Sequence, residues 1–205
     1  MSEDWFRNRI WDAAIERRFN EKLHRARRKA QYLRIQAGML ARSNPEVALK
    51  LLDRHFLLDD KFDHAQAHVD RATALLSLGR TNDAIESFKA ALAREVEFPN
   101  SLTMAFLELP YIIATHGVRD RYKDAIELLG NHQTRLMFPV DHFRWNAAWA
   151  LIAAECGEVA DAREHAQKAL AAANLEHSGF RFHAGVGLVT DQYDGVIESL
   201  KRLCS

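Results

Sequence analysis

The sequence predicts an all-α chain of antiparallel helix pairs, and three observations carry that prediction. Apolar and small residues recur at steps of three and four along most of the 205 residues, which is the period of one helix face. Gly (9) and Pro (4) are scarce, whereas a chain of short strands needs more of both for its tight turns. No stretch shows the strict alternation of a half-buried strand.

The elements follow in order. Trp5, Ile10, Trp11, Ala14, Ile15 and Phe19 form the apolar side of a short first helix. Leu23, Ala26, Ala30, Leu33, Ala37 and Leu40 mark a second over about 20–42. Asn44 is the expected N-cap of the next, with Pro45 at its first position, where no backbone N–H is needed; Val47, Ala48, Leu51, Leu52 and Phe56 face inward. Val69, Ala72, Leu75 and Leu76 define a helix from about Asp63 to Leu78, ended by Gly79 as a C-terminal glycine ends helices. Thr81 is the expected cap of a partner burying Ala84, Ile85, Phe88, Ala91 and Leu92. After Pro99 a helix is expected over about 101–116, kinked at Pro110. Asp120 or Arg121 opens the next, through Tyr122, Ala125, Ile126, Leu128 and Leu129. Asp141 is expected to cap a helix running to Cys156, Gly157 to stop it, and 158–173 to form its partner. Residues 174–190 lose the period, and a short helix over about 191–203 closes the chain.

Composition excludes several classes. Lys+Arg and Asp+Glu are both 28, so a globally basic nucleic-acid binder is disfavoured. Two cysteines, Cys156 and Cys204, rule out a disulfide framework or a Cys-rich zinc site. No apolar run approaches the roughly 20 residues of a membrane span, and the first residues carry acids rather than an apolar signal core. The expectation is a cytoplasmic protein without a membrane partner. Charge is uneven, however. Residues 1–40 hold ten Lys/Arg and five Asp/Glu, and the remaining 165 hold 18 and 23, so the head is net +5 and the body net −5. The basic residues concentrate at Arg17, Arg18, Lys22, Arg25, Arg27, Arg28, Lys29 and Arg34.

Overlaying the helix pairs exposes a repeat: a small residue midway in the first helix, a turn, then Ala-x-x-x-aromatic/aliphatic-x-x-Ala. One copy reads Ala72, Leu75, Gly79, Ala84, Phe88, Ala91 and another Ala150, Ala153, Gly157, Ala162, Ala166, Ala169. Two looser copies run through Ala48, Leu52, His55 and through Ala125, Leu129, His132. This pattern resembles the tetratricopeptide repeat (TPR), a helix–turn–helix unit of 34 residues with small residues at the crossing. The anchor alanines Ala48, Ala84, Ala125 and Ala162 are 36, 41 and 37 residues apart, longer than a regular array. The resemblance covers roughly residues 29–175. It implies a right-handed superhelix of about four antiparallel helix pairs. The rest of a single domain over 1–205 is a basic, aromatic N-terminal helical extension (1–28) and a loop with a short capping helix (176–205). Small residues at the crossing have a physical reason, since helices 8–10 Å apart leave no room there for a large side chain, and pairs must stack to bury their faces.

The same resemblance implies a non-enzymatic scaffold or adaptor that holds a protein or peptide segment on a concave face made by first helices. In this sequence those positions include Arg34, Gln66, Asp70, Thr73, Ser77, Tyr111, Arg144, Ala148, Leu151 and Glu155. The Lys/Asn carboxylate clamp of chaperone-binding TPR proteins is absent, because its positions read Val69, Thr73, Ala147 and Leu151. The stretch 176–188 reads as a loop sealing the last repeat or as a binding loop through His177, Phe180, Arg181 and His183. Ser178 beside two histidines makes a poor nucleophilic site, with no carboxylate to orient a base. His64 and His68, four apart with Asp60 and Asp63 nearby, have a spacing that can hold a metal, yet read as polar surface. Arg18 and His24 are loosely similar to the Arg…His motif of the all-helical HEPN ribonucleases, but Phe19 stands where that motif has a polar residue. No catalytic, cofactor or metal site is therefore expected. The alternative function is nucleic-acid association through Arg17, Arg18, Lys22, Arg25, Arg28 and Lys29. Docking of the N-terminal helix on a second subunit would give a homodimer.

Overall fold

The computed structural model describes residues 4–58 and 62–205, and all regular structure among them is helical. The chain divides into two compact units, Met1–Ala105 and Phe106–Ser205.

The first unit holds α1 (Ala13–Arg25), α2 (Lys29–Leu40), α3 (Pro45–Phe56), α4 (His64–Ser77) and α5 (Thr81–Glu97). α2 packs along α3 and α4 along α5, with α4 also touching α2 and α3. Phe19 and Leu23 of α1, Leu33, Ala37 and Leu40 of α2, and Ala48, Leu51 and Leu52 of α3 share one core with Ala67 and Ala74 of α4. The anchors Ala48 and Ala84 and the α4 residue Ala72 are fully buried, as close helix crossings require.

The N-terminal region corrects two expectations. Residues 4–12 are not helical; α1 starts at Ala13 because the Asp12 carboxylate accepts hydrogen bonds from the Ala14 and Ile15 N–H groups, both at 2.8 Å. The helix expected over 20–42 is two helices, broken at 26–28, where Ala26 is extended. The step from Leu23 through Ala26 to Ala30 looks continuous in sequence, but Arg25, Arg28 and Lys29 would then stand three and four apart on one turn as like charges. Trp5, Phe6 and Trp11 are not on a helix face. They pack as a cluster with Phe19 and Tyr32, at ring centroid distances of 4.7–5.5 Å.

A buried glutamine holds that segment. Gln36 Oε1 accepts from the Asn8 backbone N–H (3.0 Å) and from Asn8 Nδ2 (2.8 Å), and Gln36 Nε2 donates to the Asn8 carbonyl (2.8 Å). Gln36→Leu leaves the Asn8 backbone N–H and carbonyl without partners, while Asn8 Nδ2 keeps the Trp5 carbonyl (2.7 Å), so we expect a loss of about 1–3 kcal/mol, read in urea unfolding, with earlier proteolysis around residues 4–12.

The second unit takes in α6 (Ala105–Thr115, whose first residue belongs to the first unit), α7 (Tyr122–His132), α8 (Pro139–Cys156), α9 (Val159–Ala173) and α10 (Asp194–Cys204). α8 lies along α9, and α10 covers both. Their core is methyl-sized: Ala147, Ala150, Ala166 and Ala169, closed by Phe143 and Leu200. Ala125 and Ala162 are buried. Phe106 of α6 stacks on His132 at the end of α7, with centroids 5.6 Å apart. Gly157 ends α8 at φ 83°, ψ 9°, the left-handed conformation glycine adopts without penalty.

Several helix ends differ from expectation. Asp141 is not the N-cap of α8. The helix begins at Pro139, and Asp141 reaches back from its third position to accept from the Phe138 (3.0 Å) and Met137 (3.2 Å) N–H groups. Thr81 is the first residue of α5 rather than its cap, which is Arg80. α6 starts at Ala105, not 101. Buried Glu95 accepts from the Thr103 N–H (2.8 Å) and hydroxyl (2.6 Å), holding 98–104 out of the helix, while Thr103 Oγ1 accepts from the Ala105 N–H (3.1 Å). Asn44 occupies the N-cap position of α3, but its amide donates to Ser43 Oγ. α6 runs through Pro110.

Candidate functional site

In the first unit, Gln66, Asp70, Thr73 and Ser77 form one stripe of α4 at steps of four, three and four. Arg34 of α2 faces it. Its guanidinium lies 3.8 Å from Asp70 and 3.9 Å from Asp63, and Gln66 Nε2 donates to Asp70 Oδ1 at 3.0 Å. Gly38 lies against Asp70: a Cβ there would stand 3.1 Å from Asp70 Oδ2, and the carboxylate would have to shift by a few tenths of an ångström. Thr73 and Ser77 donate back to the Val69 and Thr73 carbonyls (3.1 and 3.0 Å). Their hydroxyls thus serve the helix itself.

Burial pushes the Asp70 carboxyl up to about 6, against the bond from Gln66 and the charge of Arg34. On the same helix, burial and then the neighbouring His64 and Arg71 lower the His68 imidazole to about 4. The two have opposite consequences for stability. Asp70 holds its proton more tightly folded than unfolded, so its contribution is present below its ordinary value of 3.8 and lost as pH rises through about 6. His68 contributes above its ordinary 6.5, and that is lost as pH falls through about 4. Between those limits the slopes oppose. Asp70→Asn should therefore make stability rise more steeply with pH than in the wild type, and His68→Gln should make it fall more steeply. Urea midpoints over about pH 4–7 check both signs.

In the second unit, Arg144, Ala148, Leu151 and Glu155 form the corresponding stripe of α8, running from buried to open. Arg144 forks onto Glu108 of α6, with Nη1 donating to Oε1 at 2.8 Å and Nη2 to Oε2, and its guanidinium lies 4.8 Å from the Tyr111 ring centre. Burial opposes the charge on Arg144, but the Glu108 carboxylate and its hydrogen bonds hold it above the usual guanidinium range. Burial raises the Tyr111 phenol well above its usual range. Ala148 is fully buried and Tyr111 nearly so, so these two face helix packing rather than an open groove, correcting the expected surface. Leu151 is half-buried, and exposed Glu155 is paired with Arg119. Leu151 and Glu155 line a cavity of about 630 Å³ with Ala114 and Thr115 of α6, Gln192, and Ser199 and Arg202 of α10.

Three ion pairs share one spacing. Arg34–Asp70, Glu108–Arg144 and Arg119–Glu155 each join residues 36 apart. The first two join alternate helices, α2 to α4 and α6 to α8. Glu108 and Gly38 escaped the reading of single helices. The signal for Glu108 was a lone carboxylate in the apolar run Ala105-Phe-Leu-Glu-Leu-Pro-Tyr-Ile-Ile.

The loop at 176–190 is bonded within itself and to the start of α8. Ser178 N–H donates to the Ala184 carbonyl (2.8 Å), Ser178 Oγ to the His183 carbonyl (2.9 Å), and Val140 N–H to the Gly187 carbonyl (2.8 Å). The Ser178 hydroxyl is thus directed at a backbone oxygen and not at an imidazole. His177, Phe180, Arg181 and His183 are all exposed, with Phe180 against Phe138 and Arg181 over Phe182.

His64 and His68 both lie against Phe56, at 5.3 and 4.6 Å between ring centres. Asp60, near them in the sequence, lies outside the described residues, and among the described residues no group of three His, Cys, Asp or Glu side chains is placed to hold a metal. Among the described residues no helix is long and apolar enough to cross a membrane. Of the basic strip, Lys22 is half-buried, and Arg17, Arg18, Arg25, Arg28 and Lys29 are exposed. No family model, curated protein or solved structure matches this chain.

Proposed function

We propose that this chain is a non-enzymatic, TPR-like scaffold whose stacked helix pairs form a right-handed superhelix and present their first helices to a protein or peptide segment. The observation that carries the reading is that ion pairs join alternate helices in the same way twice, Arg34 of α2 to Asp70 of α4 and Glu108 of α6 to Arg144 of α8. Contact between alternate helices is what stacked hairpins produce when their successive first helices touch. The open end of the α8 stripe supports a ligand role: half-buried Leu151 supplies apolar contact, and Glu155, paired with Arg119, and Arg202 line the cavity with both signs of charge. A peptide with an apolar side chain flanked by polar groups fits that lining.

Panning a random peptide library against the whole chain tests the reading. Peptides are expected to bind the wild type and to lose at least about tenfold in affinity, some 1.4 kcal/mol, on Leu151→Arg, with helix content and melting retained. Peptides that bind both proteins equally, or no enrichment at all, would contradict the groove.

A further inference from the structure

The segment from Arg17 to Lys29 carries seven basic side chains and one acidic one, Glu21. Arg17, Arg18, Arg25, Arg27, Arg28 and Lys29 are exposed. Among the described residues, none of these six side chains forms an ion pair or hydrogen bond. Other arginines of the same unit are used internally: Arg34 with Asp63 and Asp70, Arg71 with Asp53 at 3.1 Å, Arg80 with Asp83 at 2.7 Å, and Arg94 with Glu97. These six side chains have no such internal role.

Its apolar residues point the other way. Ile15, Phe19 and Leu23 of α1 are buried, and the nearby Trp5, Phe6 and Trp11 pack with Phe19 and Tyr32. The exposed side therefore offers cations without an apolar anchor. A membrane-surface helix needs an apolar face to insert, and a protein interface centres on aromatic or aliphatic anchors with charge depleted there. A phosphate backbone needs neither. The break at 26–28 lets the strip continue beyond α1 into the start of α2, whose first turn carries no acidic residue and whose N-terminal N–H groups have no side-chain cap. The length also suits a polyphosphate: α1 rises about 12 Å from Arg17 to Arg25, and duplex DNA carries a charge about every 1.7 Å of its axis. Five of the six exposed cations are arginines, whose planar fork matches phosphate oxygens.

We infer that the Arg17–Lys29 strip binds the phosphodiester backbone of nucleic acid, without reading bases. The aromatic residues nearest the strip, Trp5, Phe6 and Trp11, are partly buried and have ring faces engaged with one another, Phe19 and Tyr32. This surface is independent of the proposed peptide groove, and neither result decides the other.

The test measures fluorescence anisotropy of labelled random-sequence single-stranded RNA, single-stranded DNA and duplex DNA with the whole chain. The salt is about 50 and 200 mM. With about five phosphate contacts, affinity should fall about 10²–10³-fold between those concentrations. The variants Arg17→Gln/Arg18→Gln/Arg25→Gln and Arg27→Gln/Arg28→Gln should each weaken binding to all three nucleic acids and flatten the salt dependence. Lys123→Gln/Arg163→Gln, which removes two exposed cations of the second unit, should leave binding unchanged. Circular dichroism confirms that each variant is folded. Absence of binding at the lower salt, binding insensitive to the strip variants, or equal losses in the control would overturn the inference. So would binding to vesicles of acidic phospholipid with none to nucleic acid.

Discussion

Ala84→Arg is expected to remove several kcal/mol of stability from the first unit. Ala84 is fully buried on α5, the helix that packs along α4, where Ala72 is equally buried. Overpacking a core costs roughly 1–3 kcal/mol, and an unpaired guanidinium there adds a desolvation penalty of several more. Set against a domain's typical 5–15 kcal/mol, that is enough to unfold the region at moderate temperature. Asn82→Arg places the same side chain two residues away on the exposed side of α5 and should melt like the wild type. Ala162→Arg makes the same argument for the second unit, since Ala162 is buried on α9 against α8. Wild-type melting of both alanine variants would refute close crossing at these positions.

The second large effect is expected at Glu108. Its carboxylate is the partner of Arg144, which is almost enclosed and lies over the Tyr111 ring. Glu108→Ala leaves that guanidinium buried without its counter-charge, and removing one member of a buried pair costs about 3–5 kcal/mol. Replacing both partners is a different matter. In Glu108→Leu/Arg144→Met the charge is gone as well as its partner, and such apolar exchanges are commonly neutral or stabilising. The double variant should therefore regain most of what the single one loses. Urea unfolding followed by tryptophan fluorescence reads this in the second unit, which contains Trp145 and Trp149, while Trp5 and Trp11 report on the first. If the single variant unfolds like the wild type, the pair is not a structural contact.

The legibility of this chain differs by feature. The helices of the middle were readable because their buried faces are built from Ala, Leu and Phe at helical spacing, and because Gly79 and Gly157 punctuate them. Helix starts were less readable. Asp141 reaches backward from inside α8, and Glu95 accepts from Thr103 across the turn after α5; in both cases the group that decides the boundary is a neighbour's side chain. The N-terminal break at 26–28 carries no Gly or Pro, so periodicity passes through it. Among the site residues, Arg34, Gln66 and Asp70 do meet, but Ala148 lies within the packing. A step of four and three identifies a shared face and does not say whether another helix covers it.

Sequence alone determined the all-helical class, the positions of the methyl-sized crossing residues and the concentration of positive charge near the N-terminus. These are local properties: the period of side chains along a helix, the volume of an alanine, the sum of charges over a short segment. Tertiary structure alone decided which charges are consumed and which remain. Arg34 and Arg144 are held by carboxylates 36 residues away, while Arg17, Arg18, Arg25, Arg27, Arg28 and Lys29 face outward. Pairing depends on distances of a few ångströms between residues far apart in the chain, and only the packing of helices sets those distances.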